Sequence, residues 1–135
     1  MFGKKEHAEI KTLVAQGTHI EGAMKFREGL RVDGEVHGAI EAVSEGSLIV
    51  ISEGALAEGG LIADHVIIAG TVKGPVLARE SLELQPQARV EGDVQYKALE
   101  MQQGATISGQ LRPIGAAATA SERDKPSIRL AAKSA

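Results

Sequence analysis

Residues 66–111 read VIIAGTVKGPVLARESLELQPQARVEGDVQYKALEMQQGATISGQL. Three phrases in this stretch share one form: Val72-Lys73-Gly74, Val90-Glu91-Gly92 and Ile107-Ser108-Gly109 each set an apolar residue two positions ahead of a glycine, at intervals of 18 and 17. Other positions advance with them. Val66, Leu82 and Leu99 are 16 and 17 apart, and Val76, Val94 and Leu111 are 18 and 17 apart. Several columns moving together mark a structural repeat. A period of this size in strand-forming residues specifies a coil of short stacked strands. Within each period an apolar-x-apolar pair is followed by a single apolar residue and then by another four positions on, which gives three short strands with alternating faces.

The same phrase continues toward the N-terminus as Ala57-Glu58-Gly59, Val32-Asp33-Gly34 and Ile20-Glu21-Gly22. The 25 residues between Val32 and Ala57 exceed one period, so an extra piece must be inserted there. In this register Val50, Ile68, Leu84 and Met101 form an inner column. Ile49, Ile51 and Ile67 then point outward, as a stacked apolar set for side-by-side contact between coils. About 95 residues at roughly 17 per turn make between five and six windings, and a rod on the order of 25–30 Å long. Pro75 and Pro86 fall at expected corners, where a missing N–H disturbs the ladder least.

Composition agrees with a narrow core. Aromatic residues are 2% of the 135, and Phe2, Phe26 and Tyr96 are all of them. A broad globular core draws on more large rings; a thin column of Val, Ile, Leu and Ala does not need them. There is no cysteine, which excludes disulfides and thiolate metal sites. No apolar run approaches the roughly 18 residues of a membrane-spanning helix, and the N-terminus lacks the apolar stretch of a secretory signal. The expected compartment is the cytoplasm.

Three segments are expected: a flexible N-terminal tail over 1–16, the coil over 17–113, and a disordered C-terminal tail over 114–135 rich in Ala and Ser. Residues 17–113 carry 8 Lys/Arg against 14 Asp/Glu, while the two tails are mildly basic. An acidic body argues against a nucleic-acid groove, which needs clustered positive charge. At the start, Met1-Phe2-Gly3-Lys4-Lys5 sets an apolar pair beside two cations. Met1 and Phe2 suit the lipid interface, and Lys4 and Lys5 suit anionic headgroups. An ordinary terminus is the equally weighted reading. One such patch binds weakly; many copies on a polymer bind through avidity.

No catalytic motif stands out. The histidines are His7, His19, His37 and His65. Acyl-transferring coils use a histidine base but repeat strictly every six residues, and the steps here are irregular. Solvent-facing histidine is therefore the favoured reading, with a coil enzyme such as a hexapeptide-type acyltransferase as the alternative. The carboxylates sit singly between apolar positions, which reads as a solvated face and not as an acid/base pair. Gly70-Thr71-Val72-Lys73-Gly74 has the wrong spacing for a phosphate loop. No metal or cofactor is expected.

The ends of the coil carry more information. An open last winding exposes backbone N–H and C=O groups together with core side chains, and neither tail has the pattern of a cap. The end of one rod can therefore stack on the end of another, and a contact with no closed stopping point gives filaments. Ile20, Met24 and Phe26 at one end, with Met101, Ile107 and Leu111 at the other, are the candidate polymer interface.

With these features assembled, the chain resembles the bactofilins, bacterial polymer-forming cytoskeletal proteins. The resemblance covers roughly residues 17–112. It rests on Gly29-Leu-Arg-Val-Asp-Gly-Glu-Val-His-Gly38, Glu53-Gly-Ala-Leu-Ala-Glu-Gly59, Ala88-Arg-Val-Glu-Gly-Asp93 and Gly104-Ala-Thr-Ile-Ser-Gly109. The Met-Phe-x-Lys-Lys start is similar to a membrane-targeting motif of that family. The resemblance implies an all-β, right-handed triangular β-helix of about six windings. It also implies a non-enzymatic homopolymer that assembles without nucleotide. Such a polymer would lie on the cytoplasmic face of the inner membrane and organise cell shape or envelope synthesis, with envelope-synthesis proteins as partners.

Overall fold

The computed structural model describes residues 10–114. The expected C-terminal tail and residues 1–9 lie outside them, apart from Ile114. Fifteen β-strands and no helix make up the described residues. The described residues wind six times, each winding passes through three strand segments, and β9, β11 and β13 each supply segments to two windings. The first winding is β1 (Ile10–Val14), β2 (His19–Glu21) and β3 (Met24–Phe26); the second is β4 (Gly29–Val32), β5 (Glu35–His37) and β6 (Ile40–Ala42). The third begins with β7 (Leu48–Ile51) and β8 (Leu56–Glu58) and closes on the first part of β9 (Leu61–Ile68). From there strands run on around a corner. The rest of β9, β10 (Thr71–Lys73) and the start of β11 (Val76–Leu84) form the fourth winding. The remainder of β11, β12 (Arg89–Glu91) and the start of β13 (Val94–Met101) form the fifth. The sixth ends through β14 (Thr106–Ser108) and β15 (Leu111–Pro113).

Every strand pair is parallel, and each strand bonds to its counterpart one winding away. One ladder runs β1-β4-β7-β9-β11-β13-β15, with β3 and β6 joining through β9; the other runs β2-β5-β8-β10-β12-β14. This is the all-β solenoid of about six windings that the sequence specifies.

The core is a stack of inward side chains. Leu30, Ile49, Val66 and Leu82 follow one another in register, as do Val32, Ile51, Ile68 and Leu84. Val36, Ala57, Val72, Val90 and Ile107 form the column on the second face. All of these residues are buried. At about 0.8 kcal/mol per buried methylene, such columns supply the main drive for stacking one winding on the next.

Three sequence expectations change. Ile49 and Ile51 are fully buried in the core, not outward lateral contacts. It is Val50 that faces out, paired with half-buried Ile67. The physical reason is an inserted corner, Val43–Ser47, which hid the true offset by one residue, and one residue inverts every side chain in a strand. Second, the repeat phrase of the second winding is Val36-His37-Gly38: Val36, not Val32, pairs with Ala57 and with Ile20. Val32 stacks on Ile51 instead. Third, Ile10–Val14, expected in the tail, forms a strand that pairs with β4, so the coil starts before Gly17.

One glycine column shows why the corner after the second strand has a fixed residue. Gly38 has φ 153° and Gly92 φ 142°, and a Cβ at Gly92 would lie 2.5 Å from the Gly74 carbonyl oxygen. Corners stack backbone on backbone here, which leaves no space for a side chain.

Candidate functional site: the open ends and a histidine–glutamate face

The six residues expected at a polymer interface all fall in the first or last winding. Ile20, Met24 and Phe26 lie on β2 and β3, while Met101, Ile107 and Leu111 lie on β13, β14 and β15. Ile20, Met24, Met101 and Leu111 are half-buried and pack against the core from its two ends. Phe26 and Ile107 are buried, which makes them part of the core itself. Leu99 and Ala105 join the half-buried apolar set at the C-terminal end. Among the described residues, β2, β3, β14 and β15 each have a strand partner on one side only, as does β1. Ile10 and Leu13 on β1 are the most exposed large apolar residues of the first winding, at 43% and 56%. Leu13 stands beside exposed Arg31 in the ladder, so it faces outward from the side of the coil.

The outer face of the first two windings holds a second grouping. His19 and Glu21 leave β2 on the same side, and Glu35 and His37 leave β5 on that side too. The ladder sets His19 opposite Glu35 and Glu21 opposite His37. The His37 ring Nδ1 lies 2.8 Å from Glu58 Oε1, and its Nε2 lies 3.3 Å from Glu35 Oε1. His19 Nδ1 lies 3.2 Å from that same Glu35 oxygen, and His19 Nε2 lies 3.2 Å from Glu21 Oε2. The two rings stack with centroids 4.6 Å apart. Hydrogen bonds to Glu58 and Glu35 raise the His37 pKa above its ordinary value, because both carboxylates favour the imidazolium. The sequence carried a signal for this grouping: His-x-Glu at 19–21 and Glu-x-His at 35–37, one winding apart. His65 stands elsewhere, with Nδ1 2.8 Å from Ser81 Oγ.

The family model for bactofilins, described as polymer-forming cytoskeletal, matches residues 12–112. The chain belongs to the bactofilin family. Bactofilin BacO of Myxococcus xanthus (strain DK1622) is 28% identical over 110 residues, covering 82% of this chain and 85% of its own length. Bactofilin BacP of the same organism is 30% identical over 100 residues, covering 74% of this chain and 40% of BacP. No solved structure gives a significant match. The match begins inside β1, which agrees with a bactofilin coil that starts before Gly17.

No helix among the described residues is long and apolar enough to cross a membrane. Met1, Phe2, Lys4 and Lys5 lie outside the described residues.

Proposed function

We propose that this bactofilin is a non-enzymatic scaffold subunit that assembles end to end into filaments without nucleotide. The carrying observation is the state of the two terminal windings. Each presents strands bonded on one side only together with half-buried apolar side chains. A second copy stacked there would satisfy the open backbone edge and cover the apolar column, as one winding does for the next. Stacking at both ends has no closed stopping point, so the product is a filament.

The Met1-Phe2 pair with Lys4 and Lys5 supports peripheral attachment to the cytoplasmic face of the inner membrane, strengthened by the many copies on a filament. A membrane-bound polymer of this kind fits a role in organising cell shape or envelope synthesis.

Met24→Arg and Leu111→Glu test the stacking, since both side chains are half-buried and lie in end windings. Each variant should keep a β-rich far-ultraviolet spectrum and lose filaments in negative-stain electron microscopy. Filaments from both variants would overturn assembly through these windings. Deleting residues 1–5 should release the protein from anionic vesicles in flotation while filaments persist.

A further inference from the structure

We propose that His19, Glu35 and His37 form a binding site for a divalent transition cation of borderline softness, with Zn2+ as the best fit, on the outer face of the first two windings. One ligand atom from each residue lies within 4.8 Å of the others. Two imidazole nitrogens converge on a single carboxylate oxygen, His19 Nδ1 at 3.2 Å and His37 Nε2 at 3.3 Å from Glu35 Oε1. Tetrahedral zinc with bonds of about 2.0–2.1 Å needs ligand atoms about 3.3 Å apart. Both nitrogen–oxygen spacings already match those between a metal's own ligands, and with all three ligand atoms within 4.8 Å small rotations about the side-chain torsions admit the ion.

Backbone geometry and an outer hydrogen bond both fix the arrangement. Glu35 and His37 are two apart on β5, so they share a face, and His19 stands directly across the ladder from Glu35. Glu58 in the third winding holds His37 Nδ1 at 2.8 Å. A carboxylate on the far nitrogen is the usual partner of a metal-bound histidine, since it sets the tautomer and turns the other nitrogen to the ion. The ligand set of two imidazoles and one carboxylate suits zinc and cobalt better than calcium or magnesium. The side chains of His19 and Glu35 are about half exposed, at 51% and 50%, so the ion can enter from solvent and keep a water as its fourth ligand.

Binding ties β2 to β5 and so fastens the first winding to the second. The amides of Gly22 and Met24, bonded to the carbonyls of His37 and Ala39 at 2.8 Å, report on that fastening.

The test is titration of the tag-free full chain with Co2+, followed by its visible absorption and by Zn2+ displacement. One cobalt per chain with a four-coordinate spectrum is expected. His19→Ala and His37→Ala should each weaken binding at least about 10-fold, and Glu58→Gln by about 10-fold. A His7→Ala, His65→Ala double variant should bind as the parent does. Zn2+ should slow hydrogen exchange at Gly22 and Met24 in the parent and not in His19→Ala. No cobalt spectrum from the parent, or unchanged affinity in both His19→Ala and His37→Ala with their β spectra retained, overturns the site.

Discussion

Phe26 and Tyr96 stand in one column of the core with alanines between them. Phe26 pairs with Ala42, the register of Ile40 with Leu61 sets Ala42 over Ala63, and Ala63, Ala78 and Tyr96 follow in turn. Both rings are buried, at 6% and 3% exposure. The column carries large rings toward the ends of the rod and only alanines in the middle.

A ring placed among those alanines should not fit. Ala78 is fully buried between Ala63 and Tyr96. Ala78→Phe should destabilise the fold by at least about 1–3 kcal/mol. Phe26→Ala should cost about 3 kcal/mol, near the low end for such a truncation because an end winding can relax. Urea unfolding followed by far-ultraviolet circular dichroism measures both. An unchanged midpoint for Ala78→Phe would show that the column has room.

Glycine substitutions should separate contacts within the molecule from contacts between molecules. A Cβ at Gly38 would collide with the Gly22 carbonyl, whereas a Cβ at Gly22 meets nothing within 4 Å. Both have positive φ, 153° and 120°, a strain of about 1–3 kcal/mol for alanine. Gly38→Ala should thus lower the melting temperature more than Gly22→Ala does. If a second molecule stacks on the first winding, Gly22→Ala should impair filaments while leaving a folded monomer. Normal filaments from that variant would place the contact elsewhere.

How far the sequence could be read depended on where the period is regular. From Val66 onward the steps are 16 to 18, and the columns of Val72, Val90 and Ile107 were recovered as they stand in the fold. Between residues 32 and 57 two similar phrases, Val32-Asp33-Gly34 and Val36-His37-Gly38, lie four apart, and the Val43–Ser47 corner adds length. Hydrophobic pattern alone does not tell which phrase continues the column. The corner's extra length inverted Ile49 and Ile51, and the choice of phrase hid the histidine grouping. His19 meets Glu35 only through the ladder between β2 and β5. A contact between windings is legible only where the register is.

Acid should weaken the corner between β4 and β5 through Asp33. Hydrogen bonds from Ser52 and from Arg31, the latter at 2.9 Å, hold its carboxyl below the usual value of 3.8. A carboxylate with a depressed folded pKa adds stability that is present above its unfolded pKa and is lost as pH falls through the folded one. The contribution is therefore full at neutral pH and fades below about pH 4. Asp33→Asn should lower the melting temperature at pH 7, and the gap to the parent should shrink toward pH 3. A constant gap across that range would mean that charge at Asp33 contributes nothing.

The inserted corner should depend on one carboxylate. Asp64 Oδ2 accepts the Gly46 N–H at 2.6 Å, and its Oδ1 accepts from Arg79 at 3.2 Å. The Asp64 N–H in turn donates to Ser47 Oγ at 3.1 Å, and Ser47 is completely buried. Asp64 thus fastens the loop that the regular repeat has no place for, with its side chain only 14% exposed. Bonds to a charged acceptor are worth about 1.5–3 kcal/mol, so Asp64→Ala should destabilise the fold by about 2 kcal/mol. Arg79→Ala should cost under about 1 kcal/mol, because the arginine is more exposed and its pairing is solvent-screened. The loss in Asp64→Ala should appear as faster hydrogen exchange at Gly46, and at Leu48 and His65, whose amides bond to Glu28 and Ser47 carbonyls at 2.9 Å. Exchange at Val72 and Val90, on the opposite face and at least one winding from the inserted corner, should change little in the native state. Uniform acceleration across the rod would instead mean that the corner unfolds only with the whole coil.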